Sequence, residues 1–358
     1  MKKIFIKAYS QNNLGDDLFI YILCQRYPMH SFIMPCSRQF SEAFRQIPNL
    51  KTIPIIPFVD GLMHRLNLSP RPKRAYYRRL MKRCDATVHI GGSLFIESMF
   101  PLTEIVQYAK DVQASQQYYL LGLNFGPFVN EEFFLQMRDV FKQIDDICFR
   151  EQYSFDLFED LPHTRLAPDI VFGLDTTDFE VKSNPKHIVI SMIDLENRPE
   201  LKDYQIAYEH KIVEICEKAL ADGLTVTLMS FCQYEGDESA IKRVNEKLNG
   251  RAEEYFYTDN LPEALAVLNS ARGIVATRFH ALILGWVFNR RVYPICYSSK
   301  MTHVIHDINY QGEYCDIQSI AELDPSVVLN QLLSDEPFDI HDYKAEASAH
   351  FEKLDTLI

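Results

Sequence analysis

Two patterns of apolar and polar positions recur along the chain. Short runs rich in Ile, Val, Phe and Leu alternate with longer stretches whose apolar residues return at helical spacing, as expected of buried strands and amphipathic helices. In the first half, Ile4–Tyr9, Ser31–Pro35, Thr52–Pro57, Thr87–Gly91, Tyr118–Phe125 and Ile147–Arg150 predict strands. Between them Asp16–Arg26, Arg74–Arg83, Leu102–Gln113, Asn130–Gln143 and Tyr153–Phe158 predict helices. A second series follows, with strands at His187–Met192, Thr225–Phe231, Glu254–Tyr257, Gly273–Thr277 and Val292–Ile295. Its helices are expected at Tyr204–Ala221, Ser239–Leu248, Pro262–Ser270 and His280–Phe288, with a helix, turn and helix from about Pro325. Short apolar strands alternating with helices predict an α/β architecture with mostly parallel sheets. The polar stretch Thr176–Lys186 has no period and ends in Asn-Pro-Lys. It is expected to be a linker between a domain at 1–178 and a domain at 187–358.

Composition narrows the class. The 358 residues are 47% hydrophobic and 24% charged, a globular balance. No apolar run approaches the ~18 residues of a membrane helix. Lys7 interrupts the opening apolar stretch and no small-residue cleavage site follows, so the N-terminus reads as mature protein rather than signal peptide. Eight cysteines occur without a C-x-x-C pair, which argues against a zinc site or a disulfide framework. It fits small core residues in a reducing cytoplasm.

Charge is uneven. Residues 1–180 carry a net charge of -1 and the remainder -11. Arg65 to Arg83 holds eight basic residues and no acid. One basic island on an acidic chain is a poor footprint for nucleic acid. The segment Arg71–Arg83, with Tyr76, Tyr77, Leu80 and Met81, reads either as a solvated helix with a buried stripe or as a peripheral patch for anionic lipid.

Ligands of open parallel sheets sit beyond the carboxyl ends of strands, which directs attention to the residues there. Asn12-Asn13-Leu14-Gly15-Asp16-Asp17 opens a helix. Its acids suit the helix N-terminus, or a carboxylate that takes a proton from a sugar hydroxyl. Gly91-Gly92 ends a strand and permits close approach of a ligand or neighbouring chain. No G-x-G-x-x-G or Walker A sequence occurs, so no nucleotide cofactor has motif support. Arg150 at a strand end reads as a structural ion pair or as a carboxylate or phosphate clamp. Arg278 and His280 flank a strand-to-helix junction, where an arginine, a histidine and helix N–H groups together suit a polyanion. Lys300 is either solvated or a further point charge. His303 and His306 stand three apart without a ligand partner at suitable spacing, so no metal is expected. Glu209 and Glu217 share an amphipathic helix with Glu214 and are expected on its solvated face.

In order, Asn13-Leu14-Gly15-Asp16-Asp17, Gly91-Gly92, Gly122 with Gly126-Pro127, and Arg150-Glu151 with Ser154 resemble the polysaccharide pyruvyl transferase family. Pro168-Asp169, Thr277-Arg278-Phe279-His280-Ala281, and Tyr297 with Lys300 extend the likeness over about residues 10 to 300. Departures from the family pattern fall at Asp17, Ser93 and Glu151. The resemblance implies a glycosyltransferase-B-like pair of Rossmann-type domains. It also implies transfer of pyruvate from phosphoenolpyruvate (PEP) to two hydroxyls of a saccharide, lipid-linked or free, in exopolysaccharide, capsule or cell-wall synthesis. PEP would be a co-substrate, with no cofactor or metal.

On that reading, Arg278, Arg150, Lys300, Gly91 and Gly92 meet PEP. His280 delivers a proton to the PEP methylene carbon, and Asp16 or Asp17 acts as base. An ordinary histidine titrates near ~6.5, and a neighbouring phosphate favours its charged form. The competing readings are a nucleotide-sugar glycosyltransferase on the same architecture, and a non-catalytic anion- or sugar-binding protein. The sequence leaves the oligomeric state open.

Overall fold

A computed structural model of the chain describes residues 1–55, 71–179, 181–335 and 341–358, without the side chains of Arg71, Pro72, His341 and Asp342. The predicted residues Ile56 and Pro57, the Arg65–Pro70 part of the basic island, and Glu180 of the expected linker lie outside the described residues. The chain forms two compact units, and every pairing between the named strands is parallel among the described residues.

Unit 1 comprises residues 1–10, 19–170 and 346–358. Its strands are β1 (Lys3–Lys7), β2 (Ser31–Ser37), β3 (Leu50–Ile55), β4 (Ala86–Ile90), β5 (Ser93–Phe95), β6 (Tyr118–Phe125), β7 (Asp146–Phe149) and β8 (Thr164–Leu166). They lie in the order β3-β2-β1-β4-β6-β7-β8, with β5 beside β6. The helices are α1 (Leu14–Arg26, entering from unit 2), α2 (Arg71–Met81), α3 (Leu102–Ala114), α4 (Glu131–Phe141) and α5 (Gln152–Asp156). Every residue of β4, β6 and β7 is buried, because parallel strands are covered on both faces. An aromatic core fills the β6 side, where Phe141 and Phe158 approach to 4.9 Å and Phe125 and Phe158 to 5.0 Å. Rings at these separations add to plain area burial.

Unit 2 comprises residues 11–18 and 171–345. Its strands are β9 (His187–Ser191), β10 (Thr225–Ser230), β11 (Glu253–Phe256), β12 (Gly273–Ala276), β13 (Arg291–Cys296) and β14 (Cys315–Asp316). Their order, β11-β10-β9-β12-β13-β14, reverses direction between β9 and β12. The helices are α6 (Gln205–Ala221), α7 (Asp237–Lys247), α8 (Leu261–Ser270), α9 (Phe279–Val287), α10 (Ser299–Asp307) and α11 (Pro325–Leu333). Ile188, Ile190, Val226, Leu228, Val275 and Ile295 are among the sheet residues of one core, in which Tyr208, Ile212, Val244 and Leu332 also lie. All eight cysteines are buried thiols. No helix among the described residues is long and apolar enough to cross a membrane.

The units divide the chain differently from the expected 1–178 and 187–358. The boundary falls between Ile170 and Val171, and Thr176–Lys186 belongs to unit 2. There Phe179 is buried and its carbonyl accepts from Asn269 Nδ2 at 2.8 Å. Asn184 of the same stretch donates its N–H to the Ser270 carbonyl at 2.8 Å. Residues 11–18 also belong to unit 2, and the tail returns to unit 1. After α12 (His341–Ala347), His350 donates to the Pro168 carbonyl at 2.8 Å. Burial holds the His350 ring well below the usual histidine range, at about 3. Asp355, in α13 (Glu352–Leu357), accepts from Arg26 Nη2 at 2.6 Å and from the Tyr27 hydroxyl at 2.7 Å. Arg165 joins β8 to the tail, pairing with buried Asp146 at 2.7 Å and donating to the carbonyls of Ala349 and His350.

Removing Arg165 leaves a buried carboxylate without its cation, a change that costs about 3–5 kcal/mol. Arg165→Ala is therefore expected to lower the urea midpoint of unit 1 and open residues 346–358 to protease. An unchanged midpoint would show that apolar packing alone holds the tail.

Candidate functional site

The switch in strand order places the ends of β9 and β12 side by side, where an open α/β sheet gathers its ligand groups. Ser191, closing β9, accepts the backbone N–H groups of Thr277 at 3.0 Å and Arg278 at 3.2 Å. The Tyr208 hydroxyl donates to Thr277 Oγ1 at 3.1 Å. Ser191 and Tyr208 thus fix the turn from β12 into α9, with Arg278 at the N-cap position and His280 in the first turn.

Arg278 is 6% exposed, and a buried cation requires partners. Asp237 supplies two contacts, to Nε at 3.0 Å and to Nη2, and Glu235 takes Nη1. Burial works against the Arg278 charge, but Asp237 and Glu235 more than offset it. Asp237, the first residue of α7, also accepts the N–H groups of Phe231 and Cys232, both at 3.1 Å. The same Glu235 oxygen that meets Arg278 takes Arg198 Nη2 at 2.5 Å. Burial alone would raise the Glu235 pKa, yet Arg278, Arg198 and Lys300 hold it at about 2.

The segment Gln11–Leu18 attaches to the end of β10. Asn13 bridges Cys232, and the Leu14 N–H donates to the Phe231 carbonyl at 3.0 Å. Asn12 turns the chain with a φ of 50°, which asparagine tolerates. Asn13 caps α1 by accepting the Gly15 N–H at 3.1 Å. Gly15 lies against the His280 ring so closely that a Cβ there would overlap Nδ1. Asp16 is half-buried, whereas Asp17 is 3% exposed. Asp17 Oδ2 accepts the Tyr257 hydroxyl at 2.7 Å, and its Oδ1 has no hydrogen-bond partner among the described residues. Burial pushes this carboxyl up to about 8, against the Tyr257 bond and with help from Asp16.

Lys300 follows β13 as the second residue of α10. Its Nζ lies 5.6 Å from the centre of the Tyr297 ring and 5.7 Å from that of Phe279. Burial opposes ionisation of Tyr297, but Lys300, Arg278 and Arg198 outweigh it and hold the phenol below its ordinary value.

Arg150, Gly91 and Gly92 lie in unit 1. Arg150 follows β7 and is buried, with Nη1 2.9 Å from Asp169 Oδ2 and Nη2 2.6 Å from Asn124 Oδ1. A Cβ on Gly92 would stand 2.5 Å from Arg150 Nη1, so only glycine admits the guanidinium at the end of β4. Gly91 donates its N–H to the Leu121 carbonyl at 3.3 Å. Glu151 accepts the Ser154 hydroxyl at 2.6 Å, and Ser154 Oγ accepts the Phe125 N–H at 2.8 Å. In this unit the spaced motif residues tie strand ends to one another.

Unit 2 therefore brings together Asp16, Asp17, Arg278, His280 and Lys300. Sequence reasoning missed Arg198, Glu235, Asp237 and Tyr257. Glu235-Gly236-Asp237 follows β10 and opens α7, the same strand-end position that drew attention elsewhere. Glu209 is corrected. It is 4% exposed, not solvated, with Arg243 at 2.8 Å and Lys247 at 3.2 Å. Glu217 is half exposed beside Arg251. In the basic helix α2, Arg74 pairs with Glu104 and Arg78 with Asp111, while Tyr76 and Arg79, and Lys82 and Arg83 just past its end, are exposed.

Comparison with known proteins identifies the family and the fold. A family model described as polysaccharide pyruvyl transferase matches residues 13–299. The amylovoran biosynthesis protein AmsJ of Erwinia amylovora is 23% identical over 273 residues, 68% of this chain but only 64% of that relative's length. Among solved structures, Anabaena HepE in complex with UDP and glucose superposes with a TM-score of 0.58 at 12% identity, covering 100% of this chain and 99% of that one. UDP-GlcNAc 2-epimerase of Methanocaldococcus jannaschii gives 0.62 at 7% identity, over 99% and 100%. These likenesses show the glycosyltransferase-B-like α/β fold.

The raised pKa of Asp17 has a consequence for stability. A carboxyl that is buried neutral loses stabilisation as pH rises from the ordinary carboxylate range through about 8, because only the unfolded chain then releases its proton. Asp17→Asn, which still accepts from Tyr257, should raise the melting temperature clearly at pH 8 and little at pH 5. An equal effect at both values would remove the buried-acid reading.

Proposed function

The chain belongs to the polysaccharide pyruvyl transferase family, and on that premise we propose that it transfers pyruvate from PEP to two hydroxyls of a saccharide in exopolysaccharide synthesis. One observation carries the reading. In unit 2 the Asn13–Asp17 segment seats Gly15 on the His280 ring, with Asp17 buried against Tyr257 and Arg278 paired with Asp237.

His280 gives a proton to the methylene carbon of PEP, leaving positive charge on the carbon that bears the enol oxygen. A saccharide hydroxyl adds to that carbon and yields its proton to the ionised form of Asp17, which becomes populated as pH approaches 8. A carboxylate whose pKa lies near 8 is a stronger base than an ordinary one. The bond from that carbon to the bridging oxygen then breaks, and phosphate leaves with the electron pair. The second hydroxyl closes the ketal, and its proton leaves with phosphate or returns to His280. Lys300 supplies positive charge for the departing phosphate. Arg278, whose donors already face Asp237 and Glu235, fixes the turn that carries His280 and adds its field.

The outward Tyr76, Arg79, Lys82 and Arg83 fit a peripheral contact with anionic lipid, near a lipid-linked acceptor. Salt-sensitive flotation with anionic vesicles is the expected result. Flotation unaffected by Arg79→Glu with Lys82→Glu would discard the contact.

The wild-type protein should bind PEP and release phosphate only when a suitable saccharide is present. His280→Ala should retain PEP while losing about 10²-fold or more in kcat. The rate should rise with pH towards a limb near 8. Tyr257→Phe should move that limb upward, because the phenol's hydrogen bond lowers the Asp17 value. Stabilisation by a UDP-sugar but not by PEP, without phosphate release, would replace this reading with nucleotide-sugar transfer.

A further inference from the structure

Three cations of unit 2 gather around one phenol. The guanidinium carbon of Arg198 lies 5.4 Å from the centre of the Tyr297 ring, and Lys300 Nζ lies 5.6 Å from it. Arg278 is linked to Arg198 through the shared Glu235 oxygen. Asp237 is occupied by Arg278, and Glu235 serves both arginines. Among the described residues no carboxylate stands within salt-bridge distance of Lys300. The cluster thus holds three positive charges against two negative ones, and its surplus lies on side chains that solvent reaches. Arg198 is 28% exposed and Lys300 is half-buried.

A second observation points the same way. Ser298 stands at the N-cap of α10, where a serine normally accepts an N–H of the first turn. Here it makes no such bond, and its hydroxyl is shielded from solvent without a partner among the described residues. The first N–H groups of α10 and an unused hydroxyl therefore lie next in the chain to Tyr297 and Lys300. Phosphoryl oxygens satisfy both kinds of group at a helix N-terminus.

We propose that Arg198, aimed by Glu235 and laid against Tyr297, is a phosphoryl-contacting residue that works with Lys300 at the N-terminus of α10. Glu235 is its positioning residue, fixing the guanidinium by one oxygen so that its remaining N–H groups stay available. The proposal rests on reading unit 2 as the donor-binding unit, but not on which group is transferred. The phosphoryl group is that of PEP or of a nucleoside diphosphate, and the two sources are separable.

The test is calorimetric titration of the full-length chain with PEP, UDP and inorganic phosphate, for wild type, Arg198→Ala, Arg198→Lys and Glu235→Gln. Loss of one charge-assisted contact should weaken the phosphoryl ligand on the order of ten- to hundredfold in Arg198→Ala. Arg198→Lys should recover part of the loss. Glu235→Gln should raise KM more than it lowers kcat. If Arg198→Ala melts early, Arg198→Gln, which keeps the stem against Tyr297, makes the comparison. Unchanged affinity in a folded Arg198 variant overturns the proposal, as does a wild-type protein that takes up none of the three. A UDP affinity that falls with Arg198 while PEP is ignored upholds Arg198 and defeats pyruvyl transfer. PEP turnover indifferent to Arg198 does the reverse.

Discussion

A guanidinium taken out of water costs several kcal/mol unless carboxylates meet it in good geometry, and in unit 2 that requirement falls on Arg278. Its principal partner, Asp237, is also the acceptor for two backbone amides after β10. The loop those amides belong to receives Asn13 and Leu14. Satisfying one buried charge therefore orders the loop after β10, the arrival of the Asn12–Asp17 segment, and the placement of Gly15 against His280. Motif residues more than two hundred positions apart depend on a single ion pair.

Arg278 takes a different part from the one its position suggests. From sequence, an arginine beside a histidine at a helix start reads as the ligand's clamp. In the structure its Nε and Nη2 face Asp237 and its Nη1 faces Glu235, so the solvent-facing cations are Lys300 and Arg198. Asp17 shows the corresponding trade. A neutral carboxyl with one unpartnered oxygen lowers stability above the carboxylate range, the kind of local cost that functional sites carry and cores do not.

Much of the fold was legible because fully buried parallel strands leave continuous apolar runs. β6 was predicted at its observed bounds, and α6 to within one residue. What escaped was held by tertiary contacts. β8 and β14 are too short to show a period, and α10 begins in a polar Ser-Ser-Lys stretch. Glu209 follows its helix's polar spacing, yet Arg243 and Lys247 of α7 fold over it. Spacing along one element cannot report a cation brought by another. Glu235 and Asp237 escaped for the same reason, since acids after a strand look like a solvated loop until Arg278 is placed. The tail carries no compositional mark of its destination.

That tail bears on how the molecule is made. Residues 346–358 complete unit 1, whose sheet is otherwise encoded before Val171, while residues 11–18 are set into unit 2. During vectorial synthesis unit 1's strands emerge with Arg165 and Pro168 still awaiting Ala349 and His350. Unit 2 cannot reach its final form before residue 345 has been made, nor unit 1 before residues 346–358. A nascent chain stalled after unit 1's last strand would therefore present to chaperones a complete sheet without its closing helical segment.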